Sequence, residues 1–243
     1  MGPEATETSG LECIILAGGL GTRLKSAVPD LPKCMAPVAG KPFLHYIIEY
    51  LLKQNVSRFI FSLGYMHEHI ENYILKNYPH IHYVFSVEKE PLGTGGAVLL
   101  ACQYAQQKNV LVLNGDTMFR TDIQKLMSYH IQHEAVCTLS LKPMQNFDRY
   151  GVVELNKEGY ISSFREKKFY EQGNINGGVY ALNVEKFIGI HFAEKFSFEI
   201  DYLERYHDSQ KMMGLIQDEY FIDIGIPEDF ERAGKELSEK QAD

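Results

Sequence analysis

Short apolar runs alternate with stretches of helical periodicity through the first 135 residues of this chain. Four of these runs have the length of buried strands and lie at residues 13–17, 58–63, 81–87 and 110–114. Helical spacing appears over residues 43–52, after Pro42 at a favourable first position, and over 67–76, 95–106 and 122–132. This alternation predicts a mostly parallel sheet with helices on both faces, and a ligand site at the carboxyl ends of its strands.

The pattern changes at about residue 136, where apolar runs become closely spaced and are separated by turn residues. Strands are predicted over residues 136–141, 151–155, 161–165 and 177–182, and helices over 198–206 and 227–237. The sequence contains no linker, low-complexity tract or repeat of fixed period. It therefore predicts a loose tail over residues 1–10 and a single domain over residues 11–243, whose second half, from residue 136, is rich in strands.

The composition is that of a soluble globular protein, with 45% hydrophobic and 23% charged residues in 243. No apolar run is long enough to span a membrane, and the first ten residues lack the plan of a signal peptide. Four cysteines without a Cys-x-x-Cys pair favour reduced thiols in a cytoplasmic protein. The net charge of -8 argues against nucleic acid or an anionic membrane as a partner, and a phosphate substrate would require cations concentrated in one place.

A glycine-rich loop follows the first predicted strand, at residues 16–25. Its three glycines allow a sharp turn and bring backbone N–H groups close to a bound group, which suits phosphate oxygens. Arg23 and Lys33 add the two kinds of cation best suited to polyphosphate. The spacing excludes a Walker A loop, and Leu24 stands where a Rossmann fingerprint needs its third glycine. The glycines alone fit an ordinary turn equally well, but together with the two cations they favour a nucleotide-binding loop.

Two acidic residues are candidates for holding a divalent cation. Asp116 comes just after the apolar run 110–114, and therefore stands past the carboxyl end of a predicted strand. Asp223 lies in the apolar run 220–226, where a carboxylate is costly to bury unless it is paired or bound to a metal. Mg²⁺ favours one or two carboxylates together with phosphate oxygens. An ordinary turn at Asp116, and a helix cap or strand end at Asp223, are the alternatives without a metal.

Two later segments, 164–168 and 175–180, predict a wall that faces a sugar. Glu166 and Asn176 are suitable partners for hydroxyl groups, and Lys167 is suitable for a phosphate. The alternative for the charged run 164–168 is a solvated edge strand, where such charges are usually found.

Taken together, these segments resemble the sugar-1-phosphate nucleotidyltransferases, and within them the D-glycero-α-D-manno-heptose 1-phosphate guanylyltransferases. The resemblance extends from about residue 11 to residue 233. It rests on the ordered runs 17–23, 32–33, 88–96, 114–116, 148–151, 166–167, 175–178 and 195–199, and on the segment around Asp223. One departure is Lys168, which stands where many relatives have proline.

The resemblance implies a three-layer α/β/α Rossmann-like fold with a mixed, mostly parallel central sheet. Residues 11–135 would form the nucleotide-binding half and residues 136–243 the sugar-binding half. Arg23 would hold the triphosphate, Lys33 would contact the α-phosphate, and Lys167 would meet the sugar phosphate. Mg²⁺ would be held by Asp116 and Asp223. Other nucleotide contacts would come from Leu16, Ala17, Gly18, Gly19, Gly21, Thr22, Glu88, Pro91, Gly93, Thr94 and Gly115, and sugar contacts from Gly151, Glu166, Asn176 and Gly177.

The implied reaction is attack of a sugar 1-phosphate on GTP, giving GDP-sugar and pyrophosphate without a covalent intermediate. The two substrates would be the partners, and a homodimer is left open. The nearest alternatives are the same reaction with UTP or CTP, or with mannose or glucose 1-phosphate. A glycosyltransferase would normally show an Asp-x-Asp pair, which this chain lacks. A regulatory subunit that binds a nucleotide sugar is disfavoured because all five charged site residues are intact: Arg23, Lys33, Asp116, Lys167 and Asp223.

Overall fold

A seven-stranded sheet forms the centre of the molecule in the computed structural model, which describes residues 10–19 and 29–239. Strands and helices are numbered along the chain. The sheet contains β1 (Leu11–Leu16), β4 (Val56–Leu63), β5 (His82–Val87), β6 (Asn109–Asn114), β8 (Cys137–Phe147), β11 (Tyr170–Asn183) and β12 (Met212–Ile216), in the spatial order β12-β8-β11-β6-β1-β4-β5. Neighbouring strands are parallel except that β11 runs antiparallel to both β6 and β8. The predicted mixed, mostly parallel sheet is confirmed.

The described residues contain six α-helices: α1 (Phe43–Lys53), α2 (His67–Asn77), α3 (Gly93–Cys102), α4 (Ile123–Gln132), the short α5 (Val184–Ile188) and α6 (Pro227–Glu239), which follows the last strand. Because α1 begins at Phe43, Pro42 precedes the helix and does not form its first residue. The helix predicted over 95–106 begins earlier, at Gly93, and ends earlier, at Cys102. The helix predicted over 198–206 is a π-helical segment, Phe198–Glu204.

Apolar side chains form a core on each face of the sheet. On β1, Cys13 and Ile15 face one core and Ile14 faces the other, because successive residues of a strand point to opposite sides. Helices α1, α2, α4 and α6 contribute to the first core, and α3, α5 and the π-helical segment contribute to the second. Burial on both faces explains why the strands appear in the sequence as continuous apolar runs.

Three two-stranded pairs lie outside the central sheet. They are β2 (Pro37–Val38) with β3 (Lys41–Pro42), β7 (Thr117–Phe119) with β13 (Phe221–Asp223), and β9 (Val152–Leu155) with β10 (Ile161–Arg165). The β7–β13 pair is antiparallel, and Thr117 lies opposite Asp223 in it. This pair therefore brings together two parts of the chain that are distant in sequence and that each carry a candidate acid.

All four cysteines are buried and unpaired. In the described part of the chain, no helix has both the length and the apolar character of a membrane span.

Candidate active site

A cavity of about 650 Å³ opens at the carboxyl ends of β1, β4, β5 and β6. This is the edge at which the β-α alternation predicts a ligand site. Twelve of the predicted site residues line the cavity: Leu16, Ala17, Gly18, Gly19, Lys33, Glu88, Pro91, Gly93, Thr94, Gly115, Asp116 and Asp223. Three further predictions, Gly21, Thr22 and Arg23, lie outside the described residues.

The floor of the cavity is formed by closely packed backbone. A Cβ atom on Gly18 would lie 2.8 Å from the amide nitrogen of Gly64, and one on Gly115 would lie 2.7 Å from the carbonyl oxygen of Leu16. The N–H of Gly115 donates to that same carbonyl oxygen at 2.8 Å. Side chains at Gly18 and Gly115 would therefore push the strand ends apart, and glycine is needed at both positions for close approach.

Lys33 joins the two candidate metal ligands. Its Nζ lies 2.5 Å from Oδ2 of Asp116 and 3.6 Å from Oδ1 of Asp223. Lys33 begins a short 3₁₀ turn, and the next two residues, Cys34 and Met35, are buried in the first core and anchor it. The Lys33 side chain is only 16% exposed, so water screens its charge incompletely. Three residues that the sequence suggested separately therefore meet at one point.

The β7–β13 pair fixes the relative positions of Asp116 and Asp223, because Asp223 lies opposite the residue that follows Asp116. Burial raises the pKa of the Asp223 carboxyl, and the negative charge of Asp116 raises it further. The Lys33 ammonium lowers this pKa, as does the Gly225 N–H, which donates to Oδ1 of Asp223 at 2.7 Å. A cation at this position therefore favours the ionised form of Asp223.

Glu88 lies on another wall of the cavity, directly after β5. Its Oε2 accepts a hydrogen bond from the Leu92 N–H at 3.1 Å. A Cβ atom on Gly64 would lie 2.5 Å from Oε1, so the carboxylate rests against the Gly64 backbone. Burial raises the pKa of Glu88, whereas the Leu92 N–H and the positive charge of Lys195 lower it. These contacts hold an acceptor group at the cavity wall.

The start of α3 is connected to the second half of the chain. Gly93 has a φ of +74°, and a Cβ atom there would lie 2.5 Å from the carbonyl oxygen of Phe196. That carbonyl accepts from the Gly95 N–H at 3.0 Å, and the Phe196 N–H donates to the carbonyl of Leu92 at 3.0 Å. A residue other than glycine at position 93 would be strained both by its backbone angle and by this close approach.

Two of the predicted sugar residues, Asn176 and Gly177, lie on β11. The Nδ2 of Asn176 donates to the hydroxyl of the buried Tyr180 at 2.9 Å. Gly177 packs against the ring of Phe119, since a Cβ atom there would lie 2.3 Å from a ring carbon. Neither Asn176 nor Gly177 is among the residues that line the cavity.

The other predicted sugar residues lie further from the cavity. Glu166 and Lys167 are exposed in the loop that joins β10 to β11, and neither lines the cavity. Gly151 packs against the start of this loop, because a Cβ atom there would lie 2.4 Å from the carbonyl oxygen of Arg165. The position fits the alternative of a solvated edge, and the roles of these three residues remain predictions.

Several residues that line the cavity were not predicted to be site residues, among them Ser62, Tyr65, Asn114 and Glu199. Ser62 and Tyr65 flank the carboxyl end of β4, so the rule that places ligands at strand ends could have indicated them. Asn114 and Glu199 lie in runs that carry the family resemblance, but no role was assigned to them. Glu199 reaches the cavity only through tertiary structure, and no local signal marks it.

Glycine-lined walls at the carboxyl ends of parallel strands, with two acids and a lysine at one end, are the arrangement expected of an enzyme that handles phosphate esters of nucleotides. Residues 12–240 match the model of the Nucleotidyl transferase family, and the chain belongs to this family.

Two relatives have the same name and cover almost the whole chain. The D-glycero-alpha-D-manno-heptose 1-phosphate guanylyltransferase of Aneurinibacillus thermoaerophilus is 50% identical over 227 residues, which are 93% of this chain and 98% of the relative. The enzyme of that name from Campylobacter jejuni is 45% identical over 220 residues, 90% of this chain and 97% of the relative. The crystal structure of HddC from Yersinia pseudotuberculosis complexed with GMP-PN is similar with a TM-score of 0.85 at 37% identity, covering 93% of this chain and 99% of that one. The predicted resemblance and enzyme class are confirmed.

Proposed function

We propose that the protein transfers a guanylyl group from GTP to D-glycero-α-D-manno-heptose 1-phosphate, giving GDP-heptose and pyrophosphate. The observation that carries the proposal is the convergence of Lys33, Asp116 and Asp223 at the end of a glycine-lined cavity. The names of the two relatives support guanine and heptose as the particular base and sugar.

The charge of the cavity bears on the cofactor. Among the described residues that line it, Lys33 is the only lysine or arginine, and the carboxylates are Glu88, Asp116, Glu199 and Asp223. Both proposed substrates are polyanions, because each terminal phosphate contributes about -1.5 to -2 charges. Binding two polyanions in this cavity requires further positive charge. Part of it would come from Arg23 and Lys167, and we propose that the rest comes from Mg²⁺.

The donor set at this end of the cavity fits Mg²⁺. Asp116 and Asp223 both approach the Nζ atom of Lys33, so their carboxylates already surround one positive charge. Mg²⁺ favours one or two carboxylates together with phosphate oxygens. When bound, Mg²⁺ would neutralise phosphate oxygens and stabilise the charge that develops on them. The raised pKa of Asp223 reflects burial near a second acid, a cost that a bound cation would reduce.

The residues of the chain would act by orientation and by charge. No protein nucleophile is needed, because an oxygen of the sugar phosphate attacks the α-phosphorus in line and pyrophosphate leaves. Lys33 would contact the α-phosphate from its position beside the two acids, and Lys167 would meet the sugar phosphate. In phosphoryl transfer, positioning and electrostatic stabilisation account for most of the catalysis.

Glu88 is our candidate for recognition of guanine. A carboxylate can accept from both the N1–H and the exocyclic amine of guanine, a donor pair that uracil lacks. Burial raises the pKa of Glu88, and the Leu92 N–H, which orients the group, opposes this shift and so favours the ionised form that accepts hydrogen bonds. Pro91 and Gly93 would complete the wall around the base.

Two further expectations belong to this proposal. The four buried, unpaired cysteines suit a reducing compartment, and we propose a cytoplasmic location. The division into a nucleotide-binding half (11–135) and a sugar-binding half (136–243), and a homodimeric assembly, remain predictions.

The test is pyrophosphate release by the purified protein with GTP, UTP, CTP or ATP, each against heptose, mannose and glucose 1-phosphates. We expect the highest kcat/KM with GTP and the heptose phosphate, and no turnover after chelation of divalent ions. Asp116→Asn and Asp223→Asn should each lower kcat by about 10²–10³-fold. Asp218→Asn is the control, because this exposed acid pairs with Lys142 away from the cavity. Near-normal turnover in either cavity variant, or a preference for another base, would contradict the proposal.

A further inference from the structure

Glu199 lines the cavity although it lies in the middle of the second half of the chain, residues 136–243. Among the described residues from 136 onward, only Glu199, Asp223 and Gly225 line it. Asp223 and Gly225 lie at the end occupied by Lys33, since a Cβ atom on Gly225 would be 3.2 Å from Lys33 Nζ. Glu199 instead lies beside the start of α3, where its Oε2 accepts from the Thr94 hydroxyl at 2.9 Å.

The position of Glu199 is supported from both sides. The Ser197 hydroxyl also approaches Oε2, at 3.3 Å, and the Phe198 N–H donates to the Thr94 hydroxyl oxygen at 2.9 Å. The turn that carries Glu199 is itself fixed, because the Ser197 N–H donates to Asp201 at 2.7 Å. These contacts engage one carboxylate oxygen, and Oε1 has no protein partner among the described residues.

The charge of Glu199 limits what it can bind. No lysine, arginine or histidine among the described residues pairs with it, whereas Lys33 compensates Asp116 and Asp223. Among the described residues its charge is therefore uncompensated, and a carboxylate in that state repels phosphate and favours a neutral ligand group with hydrogen-bond donors. In a cavity for a nucleotide and a sugar phosphate, such donors are hydroxyl groups and the N–H groups of the base, and the base N–H groups are already assigned to Glu88.

The surroundings of Glu199 favour the sugar over the ribose. Phe198, the residue before Glu199, packs against Tyr180 with ring centroids 5.1 Å apart, and burial together with the charge of Glu199 raises the pKa of the Tyr180 hydroxyl. The same hydroxyl accepts a hydrogen bond from Asn176, a predicted sugar residue. Glu199 therefore lies next to a residue that packs against the predicted sugar side.

We propose that Glu199 is a sugar-specificity residue, whose free carboxylate oxygen accepts a hydrogen bond from a hydroxyl group of the sugar 1-phosphate. The inference rests on the proposed nucleotidyl transfer and adds to it a contact that the sequence did not predict. The contact would explain why Glu199 is a carboxylate in a cavity whose proposed substrates are negatively charged.

The test combines variants of Glu199 with substrates that lack one hydroxyl each. Wild type, Glu199→Ala and Glu199→Gln are assayed with heptose 1-phosphate and with a series of its monodeoxy analogues. Loss of a hydrogen bond to a charged group should lower kcat/KM for the full sugar by about 10- to 100-fold in Glu199→Ala, with KM for GTP changed less than about twofold. For one analogue, kcat/KM of the wild-type enzyme should be lower than for the full sugar by a similar factor. With that analogue, Glu199→Ala should lower kcat/KM little further. Glu199→Gln, which keeps an acceptor oxygen, should be intermediate.

A supporting role in the fold alone would give a different result, because Glu199→Ala would then lower kcat/KM by the same factor for every analogue. That result, or a change mainly in KM for GTP, would overturn the inference. Glu204→Gln is the control, since this acid lies exposed in the same segment. If wild type does not use heptose 1-phosphate, the proposed function is wrong in its sugar. The deoxy series of the sugar that is used then decides the role of Glu199 separately.

Discussion

Replacing Lys33 with methionine should destabilise the protein, even though the residue lies in the active site. The substitution keeps most of the side-chain volume and removes the ammonium group that lies 2.5 Å from Asp116 and 3.6 Å from Asp223. The two acids then face each other at the cavity wall without compensation. We expect a loss of unfolding free energy that depends on their ionisation.

The size of the loss follows from the exposure of the three groups. Breaking a buried ion pair by removing one partner costs about 3–5 kcal/mol, whereas exposed pairs contribute about 0–1 kcal/mol. The side chains of Lys33, Asp116 and Asp223 are 16%, 36% and 24% exposed, which places this cluster between the two limits. We therefore expect Lys33→Met to lower the free energy of unfolding by about 1–3 kcal/mol near neutral pH.

The pH dependence gives a second, more specific expectation. Burial and Asp116 already raise the pKa of Asp223 above its ordinary value of 3.8, and loss of Lys33 removes a group that lowers it. In the variant, the folded protein therefore takes up a proton at a higher pH than wild type does. The penalty should be complete near pH 7 and should shrink as the pH falls through the raised pKa toward 3.8.

Urea unfolding followed by far-ultraviolet circular dichroism measures both effects, because the chain contains no tryptophan for fluorescence. Lys142→Met is the matched control: Lys142 pairs at 2.6 Å with Asp218, which is 76% exposed, and the change should be within about 0.5 kcal/mol. The reasoning is refuted if Lys33→Met is no less stable than Lys142→Met at pH 7, or if its penalty stays constant on acidification.

Two further predictions concern the backbone at α3 and a buried histidine. Gly93→Ala should lower the unfolding free energy by about 2–3 kcal/mol, because position 93 has a φ of +74° and approaches the Phe196 carbonyl. The control is Gly234→Ala in α6, where the added Cβ meets nothing within 4 Å. In the same urea assay this control should be neutral or stabilising. Burial lowers the pKa of His130 from 6.5 to about 4, so the unfolded chain takes up a proton over this interval and the folded protein does not. Wild type should therefore lose stability as the pH falls from 6.5 to 4, and His130→Gln should lose less. The control is His80→Gln, at an exposed histidine, whose stability should follow that of wild type. Parallel curves of unfolding free energy against pH for wild type and His130→Gln would contradict this expectation.

Much of the fold could be predicted because its first half is built from local patterns. The parallel strands β1, β4 and β6 are largely buried and appear as continuous apolar runs, and each intervening helix shows its own spacing. The second half was predicted less well. The edge strand β12 was missed because its place beside β8 depends on pairing between distant segments. The polar start of β11 was missed because residues 170–176 lack the apolar run that marks a buried strand.

The candidate site could likewise be predicted only in part. Glycines and charged residues that follow predicted strands, such as Asp116, were placed by the rule that ligands bind at strand ends, and the structure brings them together. The link between Lys33 and the two acids could not be read from spacing, because it depends on the β7–β13 pair. Glu199 depends on contacts between segments 105 residues apart, which no local pattern records.

The β7–β13 pair has a consequence for how such an enzyme can change. The separation of the two acids is set by the β7–β13 pairing, in which three backbone residue pairs run from Thr117 opposite Asp223 to Phe119 opposite Phe221. The segment between these two strands, from α4 through β12, begins and ends at the β7–β13 pair. Changes in the loops of that segment therefore leave the relative positions of the two acids in place, whereas β8, β11 and β12 within it are held by the central sheet.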